Sequence, residues 1–203
     1  VIAIDKARRA GSILSSLCTA AGDRLSLIEA DALESPIWEF GKAPRRIIAN
    51  LPYNIATTLL IRWLAHATAF ESMTLMFQRE VAERITARPG DPAYSRLSVL
   101  TSYYADAEIL FDVPAEAFVP TPKIMSSVVQ IKPLAQPRCD CSAQALELIT
   151  RTAFGQRRKM LRSSLKKING EQLLATAGID PEARPQQLDI ESFCKLARQF
   201  EAT

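Results

Sequence analysis

Histidine is almost absent from this chain, and long apolar runs are missing altogether. His66 is the single histidine among 203 residues, so chemistry that needs several imidazoles as bases or metal ligands is not expected. No apolar stretch approaches the roughly 18 residues that span a bilayer, and no signal peptide is recognisable. The sequence therefore disfavours membrane and secretory roles, and we expect a cytosolic protein.

Cysteine is also scarce, with Cys18, Cys139, Cys141 and Cys194 spread along the chain. Four cysteines do not form a disulfide framework in a chain of this size. Cys139 and Cys141 form a Cys-x-Cys pair that could supply half of a metal site, but no second Cys or His cluster lies nearby in the sequence. We therefore expect reduced thiols that bind no metal.

Acidic residues are missing from one stretch of the C-terminal third. The net charge is only +3, and residues 1–135 carry equal numbers of basic and acidic side chains. The basic excess lies between 151 and 167, where there is no Asp or Glu: Arg151, Arg157, Arg158, Lys159, Arg162, Lys166 and Lys167. Charge runs are usually solvated surface, but a run without compensating acids favours a polyanion such as a nucleic-acid backbone.

Through its first 113 residues the chain alternates strand-like and helix-like segments. Strands are expected at 1–4, 25–29, 46–49, 73–77, 107–113 and 126–131, and helices at 6–20, 56–67, 79–87 and 96–104. Such alternation predicts βαβ units and a mostly parallel sheet. No full helix separates the last two strands, so we expect them to pair antiparallel.

Proline and small residues at 133–141 mark a linker, after which the pattern is helical throughout. Helices are expected at 142–154, 157–167, 171–177 and 189–200. We therefore predict an α/β domain at 1–134 and an all-α domain at 135–203. The chain opens without an initiator Met, directly on a strand-like segment, so we expect the natural polypeptide to be longer at its N-terminus.

The most informative motif is Asn50-Leu51-Pro52-Tyr53, where an apolar strand is followed by an amide, a proline and an aromatic residue. The carboxyl ends of strands are where open α/β sheets bind ligands. The Asn50 amide oxygen and the Leu51 carbonyl can accept the two N–H bonds of an adenine amino group and aim its lone pair at a methyl donor. Pro52 stiffens the turn, and Tyr53 can stack the base. The competing interpretation is an ordinary Asn-initiated turn.

Two acids follow the first two strands. Asp5 can hydrogen-bond the hydroxyls of a ribose, as acids do in dinucleotide folds, or it can cap the next helix. Asp31 can accept from an adenine amino group while the Ala32 N–H serves the ring, or it can be a solvated loop acid. Acids at two successive strand ends favour a nucleoside ligand.

A proline-rich loop between residues 113 and 129 carries a second aromatic, Phe118. Phe118 can stack the opposite face of a flipped base or anchor the loop in the core. Lys123, Ser126 and Ser127 are candidates for phosphate contacts.

With these motifs assembled, the chain closely resembles the KsgA-type ribosomal RNA adenine N6,N6-dimethyltransferases. The matching segments follow the family's order over nearly the whole chain: Val1-Ile2-Ala3-Ile4-Asp5, Glu29-Ala30-Asp31-Ala32-Leu33, Asn50-Leu51-Pro52-Tyr53-Asn54-Ile55, Phe118-Val119-Pro120-Thr121-Pro122-Lys123 with Ser126-Ser127-Val128-Val129, and Phe154 with Arg157-Arg158-Lys159-Met160-Leu161-Arg162.

The resemblance implies a Rossmann-like class I methyltransferase domain of seven strands and a small all-α C-terminal domain. It implies S-adenosylmethionine as methyl donor and, as target, two adjacent adenosines near the 3′ end of small-subunit (16S) ribosomal RNA. The implied partner is this RNA, or the pre-30S particle, and we expect the protein to act as a monomer without a metal.

Carried over by position, the resemblance assigns Asp5 to the donor's ribose, and Asp31 and Ala32 to its adenine. Asn50 lies between donor and target, and the target base is assigned to Asn50, Leu51, Pro52 and Tyr53, with Phe118 opposite. The residues assigned to RNA are Lys123, Arg157, Arg158, Lys159 and Arg162.

The sequence departs from the family in two places. The family usually has Glu where Asp5 stands, so a ribose contact must reach about one methylene further. The glycine-rich loop that cradles the donor's methionine part, together with the family's first strand, is absent from this sequence. We expect both to lie upstream of Val1 in the natural polypeptide.

Two other functions share these motifs. A sibling enzyme methylates large-subunit ribosomal RNA and confers antibiotic resistance, although the segment 183–197 resembles the small-subunit group better. An RNA-binding assembly factor or a transcription-factor paralogue could keep the fold with little catalysis. The intact Asn50 motif argues against this alternative, and the missing donor loop argues for it. A DNA adenine methyltransferase would normally carry a Pro-Pro turn, and Leu51 stands where its first proline would be.

Overall fold

The structure is a computed structural model that describes residues 1–6, 8–122 and 124–202, with backbone alone described at 8–13. Six strands lie in the first two thirds of the described chain: β1 Ile2–Asp5, β2 Ser26–Glu29, β3 Arg46–Asn50, β4 Ser72–Gln78, β5 Ala105–Val113 and β6 Ser126–Pro133. Four helices alternate with them: α1 Arg8–Ala21, α2 Tyr53–Leu64, α3 Arg79–Thr86 and α4 Arg96–Tyr104. Four more follow: α5 Ala143–Gly155, α6 Leu161–Ser164, α7 Gly170–Ala177 and α8 Ile190–Glu201.

The strands form two sheets. β1 and β2 pair in parallel, and the other four strands run in the order β3-β4-β6-β5. β3 and β4 are parallel, while β6 is antiparallel to both β4 and β5, which confirms the antiparallel pair expected at the end of the domain. Within the described residues no strand pairs with the outer edge of β3, where Ile48 is 84% exposed.

The core of the larger sheet follows from strand alternation. Met73, Leu75 and Phe77 occupy alternate positions of β4 and are completely buried, because successive side chains of a strand point to opposite faces. Met73 and Leu75 lie opposite Ile131 and Val129 of β6, which are also completely buried. The apolar face of α2 packs on this layer through Leu59, Leu60, Trp63 and Leu64, as its sequence pattern predicts.

A second core belongs to the C-terminal helices. Ile149 of α5, Leu161 of α6, Leu174 of α7 and Phe193 of α8 are at most 1% exposed and share one apolar cluster. Helix α4 joins the two cores, because Val99 and Tyr103 lie in the helical cluster while Leu97 packs on the sheet. The two cores support a division into two domains, and the boundary at residue 134 remains a proposal.

The basic segment after α5 differs from the predicted helix at 157–167. Only Leu161–Ser164 is α-helical, followed by a short 3₁₀ turn at Lys166–Ile168. Like charges three or four residues apart repel one another on a helix, and this segment has no acids to offset them. The Leu161 and Arg162 N–H groups instead donate to the carbonyls of Ala183 and Pro181. Arg157, Arg158 and Lys159 therefore lie in a turn.

The cysteine prediction was wrong in one respect. Cys139 and Cys194 are joined by a disulfide, whereas Cys18 and Cys141 carry free thiols. The two joined residues are 55 positions apart, and only the packing of α8 against the segment before α5 brings them together. Sequence spacing could not show this pairing.

No helix in the described part of the chain is both long enough and apolar enough to cross a membrane. This finding agrees with the absence of long apolar runs in the sequence.

Candidate active site

The Asn50 motif lies where the larger sheet meets the first turn of α2. Asn50 is the last residue of β3, paired in register with Met76, and its side chain is exposed. Leu51 is buried in the sheet core at 6% exposure, which fixes the backbone between Asn50 and the helix. Pro52 has φ −58°, the value its ring imposes, and its carbonyl accepts the N–H groups of Ile55 and Ala56.

Helix α2 therefore begins at Tyr53, three residues before the predicted start at 56. The backbone around Asn50 and Leu51 is held on one side by the sheet and on the other by a helix turn. A segment fixed in this way presents the Leu51 carbonyl in one arrangement and sets the direction in which the Asn50 side chain leaves the backbone.

Tyr53 is anchored by Ser126, one of the candidates for a phosphate contact. Its hydroxyl lies 2.6 Å from the hydroxyl of Ser126, the first residue of β6. Ser126 and Ser127 are completely buried, because β6 is a central strand with a partner on each side. The expected phosphate contacts of these two serines are therefore wrong.

Ser127 belongs to a neighbouring polar network. Its hydroxyl donates to Asp112 Oδ1 at 2.6 Å, and Asp112 Oδ2 accepts from Arg79 Nη1 at 2.8 Å. The Arg79 N–H also donates to the Met125 carbonyl at 3.0 Å. These contacts fix both ends of the loop that joins β5 and β6. The signal available in the sequence was the polar Ser-Ser pair that opens an otherwise apolar strand.

Phe118 lies in that loop and is half-buried. Its N–H donates to the Ala115 carbonyl, and its carbonyl accepts from the Thr121 hydroxyl at 3.4 Å. Among the described residues, no aromatic ring pairs with that of Phe118. The structure therefore does not show Phe118 against Tyr53, and Lys123 lies outside the described residues.

Asp5 and Asp31 lie at the carboxyl ends of two parallel strands, at the same end of their sheet. Asp5 ends β1 with an exposed side chain, and its carbonyl accepts the Ala30 N–H at 3.1 Å. The Asp31 carboxylate accepts from Lys6 Nζ at 2.7 Å and from the Leu33 N–H at 2.9 Å. These two hydrogen bonds, that of Lys6 foremost, hold the pKa of Asp31 below its ordinary value, so this carboxylate stays ionised.

The turn after β2 can also hold a nucleobase. The Asp31 carbonyl accepts the N–H groups of Glu34 and Ser35, which closes the turn around Ala32. Among the hydrogen bonds of the described residues, none uses the Ala32 N–H. An ionised carboxylate beside a free backbone N–H provides an acceptor and a donor, the pair that the amino group and ring nitrogen of an adenine require.

The basic turn after α5 is exposed at Arg157, Arg158 and Lys159. Arg157 donates to the carbonyl of Pro92, which links this turn to the loop after α3. Arg162 lies 3.6 Å from Glu182, so the fold supplies an acid that the linear sequence did not show. In the described part of the chain, Arg158 and Lys159 have no acidic partner within salt-bridge distance.

Comparison with solved structures identifies a Rossmann-like methyltransferase fold. A dimethyladenosine transferase from Plasmodium falciparum shares it, with a TM-score of 0.82 and 26% identity over 100% of this chain and 82% of that chain. The 23S rRNA methyltransferase ErmE shares the fold with a TM-score of 0.69 and 23% identity over 99% of this chain and 82% of that one.

Residues 11–202 match the family described as ribosomal RNA adenine dimethylase. The chain belongs to this family. It is 50% identical over 203 residues to the ribosomal RNA small subunit methyltransferase A of Rhodospirillum rubrum, covering all of this chain and 70% of that protein. The protein of the same name from Bartonella quintana is 53% identical, over 97% of this chain and 73% of that protein. The predicted family and fold class are thereby confirmed.

Proposed function

We propose that this chain transfers methyl groups from S-adenosylmethionine to the N6 atoms of two adjacent adenosines near the 3′ end of small-subunit (16S) ribosomal RNA. Family membership and the names of the curated relatives support the reaction and the RNA. The observation that carries the proposal for this chain is the Asn50-Leu51-Pro52-Tyr53 segment, held between a buried strand end and a helix start.

The chemistry needs no general base in this segment. An adenine amino nitrogen is a poor nucleophile, because its lone pair is delocalised into the ring. The Asn50 amide oxygen and the Leu51 carbonyl would accept its two N–H bonds and pull the nitrogen toward tetrahedral geometry. Because burial of Leu51 and the fixed φ of Pro52 hold the backbone that carries the Leu51 carbonyl, little free energy is spent on ordering this acceptor during the reaction.

Tyr53 would stack the target base. Its hydroxyl is tied to the buried Ser126, so the ring loses side-chain freedom before the base arrives, and less entropy is lost on binding. Phe118, in the loop that Arg79 and Asp112 anchor, would cover the opposite face of the base.

We assign the donor site to Asp5, Asp31 and Ala32, and we place Asn50 between donor and target. Bound S-adenosylmethionine supplies an electrophilic methyl group. Asp5 would accept from the ribose hydroxyls, while the Asp31 carboxylate and the Ala32 N–H would hold the adenine edge. The ionised state of Asp31 and the unused Ala32 N–H fit this ligand.

RNA would be held by the exposed cations of the basic turn. Arg158 and Lys159 are the strongest candidates, whereas Arg157 and Arg162 already have protein partners. Lys123 stays a prediction from the sequence. We further propose that the protein acts as a monomer on the pre-30S particle in the cytoplasm, and that no metal takes part in the methyl transfer.

The decisive variant is Asn50→Ala in the full-length protein. Methyl transfer from radiolabelled donor to small ribosomal subunits should be abolished, while RNA affinity persists, because Asn50 acts on the target nitrogen and not on the phosphate backbone. Thr58→Ala is the matched control, since Thr58 is exposed further along α2. Undiminished transfer by Asn50→Ala would refute the role given to this residue, and transfer only to large subunits would refute the substrate.

A further inference from the structure

Three cysteine sulfurs converge far from the Asn50 segment. The sulfur atoms of Cys139, Cys141 and Cys194 all lie within 4.8 Å of one another. Cys194 is completely buried on α8, while Cys139 and Cys141 precede α5 and are half-buried. Neither the basic turn nor the donor and target residues contact this cluster, so the proposed methyl transfer leaves it without a role.

A disulfide alone does not account for the cluster. The bond between Cys139 and Cys194 uses two of the three sulfurs, and Cys141 remains a free thiol. Its backbone is held in place, because the Cys141 carbonyl accepts from the Tyr103 hydroxyl and the Cys141 N–H donates to the Cys139 carbonyl at 3.2 Å. The third sulfur is therefore fixed beside the other two.

The spacing of the three sulfurs suits a soft, tetrahedral cation. Zn²⁺ binds thiolate sulfur at about 2.3 Å, so two sulfurs on one tetrahedral zinc lie about 3.8 Å apart. All three pairs lie within 4.8 Å, so small side-chain rotations bring them to that separation once no sulfur–sulfur bond joins two of them. A Cys-x-Cys segment supplies two ligands from one short stretch, and α8 supplies the third.

The charges around the cluster are mixed, and one cation lies among them. Three thiolates and one Zn²⁺ carry a net charge of −1, which needs a nearby cation when partly buried. Arg198 lies one turn beyond Cys194 on α8, and its Nη1 donates to the carbonyl of Asp140 at 3.4 Å. This guanidinium offsets part of the negative charge, whereas Asp140 itself and Glu201, whose carboxylate accepts the Ser142 N–H, add to it.

We propose that Cys139, Cys141 and Cys194 bind one Zn²⁺ ion when the disulfide is reduced, with water in the fourth position. A thiol reductant supplies the electrons: two reductant thiols become one disulfide, and Cys139 and Cys194 become thiols. The ion then displaces three protons, one from each cysteine, and forms three Zn–S bonds. The sequence alone gave no third ligand near Cys139 and Cys141, and the fold provides Cys194.

The bound ion would connect the start of α5 to α8, the same two elements that the disulfide joins. The helical core would then be cross-linked in either redox state. In reducing surroundings, where disulfides are rare, the metal form would be the relevant one.

The test uses the whole chain, reduced with dithiothreitol, freed of reductant without oxygen and incubated with zinc sulfate. After dialysis, elemental analysis should find about one Zn²⁺ per chain. Co²⁺ in place of Zn²⁺ should give thiolate-to-cobalt charge-transfer absorption and the visible bands of a tetrahedral site. Less than a tenth of an ion per chain would overturn the proposal.

Cys141→Ser is the discriminating variant, because it leaves the Cys139–Cys194 pair intact and removes one half-buried sulfur. It should still form the disulfide when oxidised, and it should lose more than about tenfold in zinc affinity, beyond the effect of losing an outer partner. Cys18→Ser is the matched control and should bind zinc unchanged. Equal zinc binding by Cys141→Ser would overturn the proposal, because binding would then not require the third sulfur.

Discussion

The hydroxyl of Tyr53 lies 2.6 Å from that of Ser126, a residue 73 positions further along the chain. The contact joins the first residue of α2 to the first residue of β6. Ser126 is completely buried, whereas Tyr53 is 36% exposed. A solvent-facing aromatic ring is thus oriented by a buried partner, and several expectations follow from this arrangement.

Tyr53→Phe should keep the stacking surface but lose the hydrogen bond. The loss of one such bond costs about 0.5–1.5 kcal/mol, so we expect methyl transfer to slow by roughly twofold to tenfold. Tyr53→Ala should slow it much further, because the ring itself is lost. Single-turnover rates on small ribosomal subunits measure both effects.

Ser126→Ala should reproduce the Tyr53→Phe effect, since it removes the other partner of the same bond. The double variant should then be no slower than either single variant, because the two residues act through one interaction. Multiplicative effects in the double variant would contradict this coupling.

Asp112→Asn should loosen the loop that carries Phe118. Asp112 accepts from both Ser127 and Arg79, and hydrogen bonds to a charged group are stronger than neutral ones. We expect faster hydrogen exchange and faster proteolytic cleavage at 114–122, with the core unchanged. Glu116→Gln is the control, because Glu116 is an exposed acid in the same loop. Equal protection in Asp112→Asn and the native chain would show that the network does not order the loop.

Neutralising Arg157, Arg158 and Lys159 should flatten the salt dependence of RNA binding. Each phosphate contact contributes roughly 0.7–0.9 to the slope of log affinity against log salt. Because Arg157 also bonds to Pro92, we expect the slope to fall by roughly 1.5–2.5. Fluorescence anisotropy with a ribosomal RNA fragment over a salt series gives this slope.

The control removes the same number of cations from Arg24, Lys42 and Lys132. Arg24 precedes β2, Lys42 precedes β3, and Lys132 lies near the end of β6. All three are exposed, and they lie at the opposite strand ends from Asp31 and the Asn50 segment. Their removal should leave the slope nearly unchanged. A slope that falls equally in both variants would indicate that only net charge matters.

Alkaline pH should destabilise the fold through Tyr103. Burial raises the pKa of Tyr103 to about 12, whereas the pKa of a tyrosine in the unfolded chain is about 10. The folded chain therefore holds this proton to higher pH, and the stability present below about pH 10 is lost as the pH rises toward about 12. Tyr103→Phe should lose less stability across this window, although it starts lower because it lacks the bond to Cys141.

Urea unfolding at several pH values compares the two chains. Burial also raises the pKa of Tyr94 and Tyr104, so part of the alkaline loss should remain in Tyr103→Phe. Identical pH slopes in the two chains would contradict the assignment to Tyr103.

The sequence predicted those features that depend on local pattern. The alternating Met73, Leu75 and Phe77 identified β4, and helix α4 was predicted with the observed bounds, Arg96–Tyr104. The Asn50 segment was recognised because proline and an amide after an apolar strand are locally unusual. In each case the decisive residues are neighbours along the chain.

Features set by distant contacts could not be predicted in this way. Ser126 was a candidate for a phosphate contact, but pairing of β6 with a strand on each side buries it. The disulfide between Cys139 and Cys194 depends on helix packing, and the ion pair between Arg162 and Glu182 forms between segments that are distant in the sequence. The roles of Asp5, Asp31 and Phe118 stay predictions, because they depend on contacts with a donor and a base.

Helix α4 has a consequence for how the protein unfolds. Val99 and Tyr103 belong to the helical core, while Leu97 packs on the sheet. Neither core can therefore lose its order without exposing apolar surface of the other core. We expect a single calorimetric transition, with the van't Hoff and calorimetric enthalpies in agreement. A fragment of 135–203 alone should be molten, and on heating the basic turn and the Asn50 segment should lose their order at the same temperature.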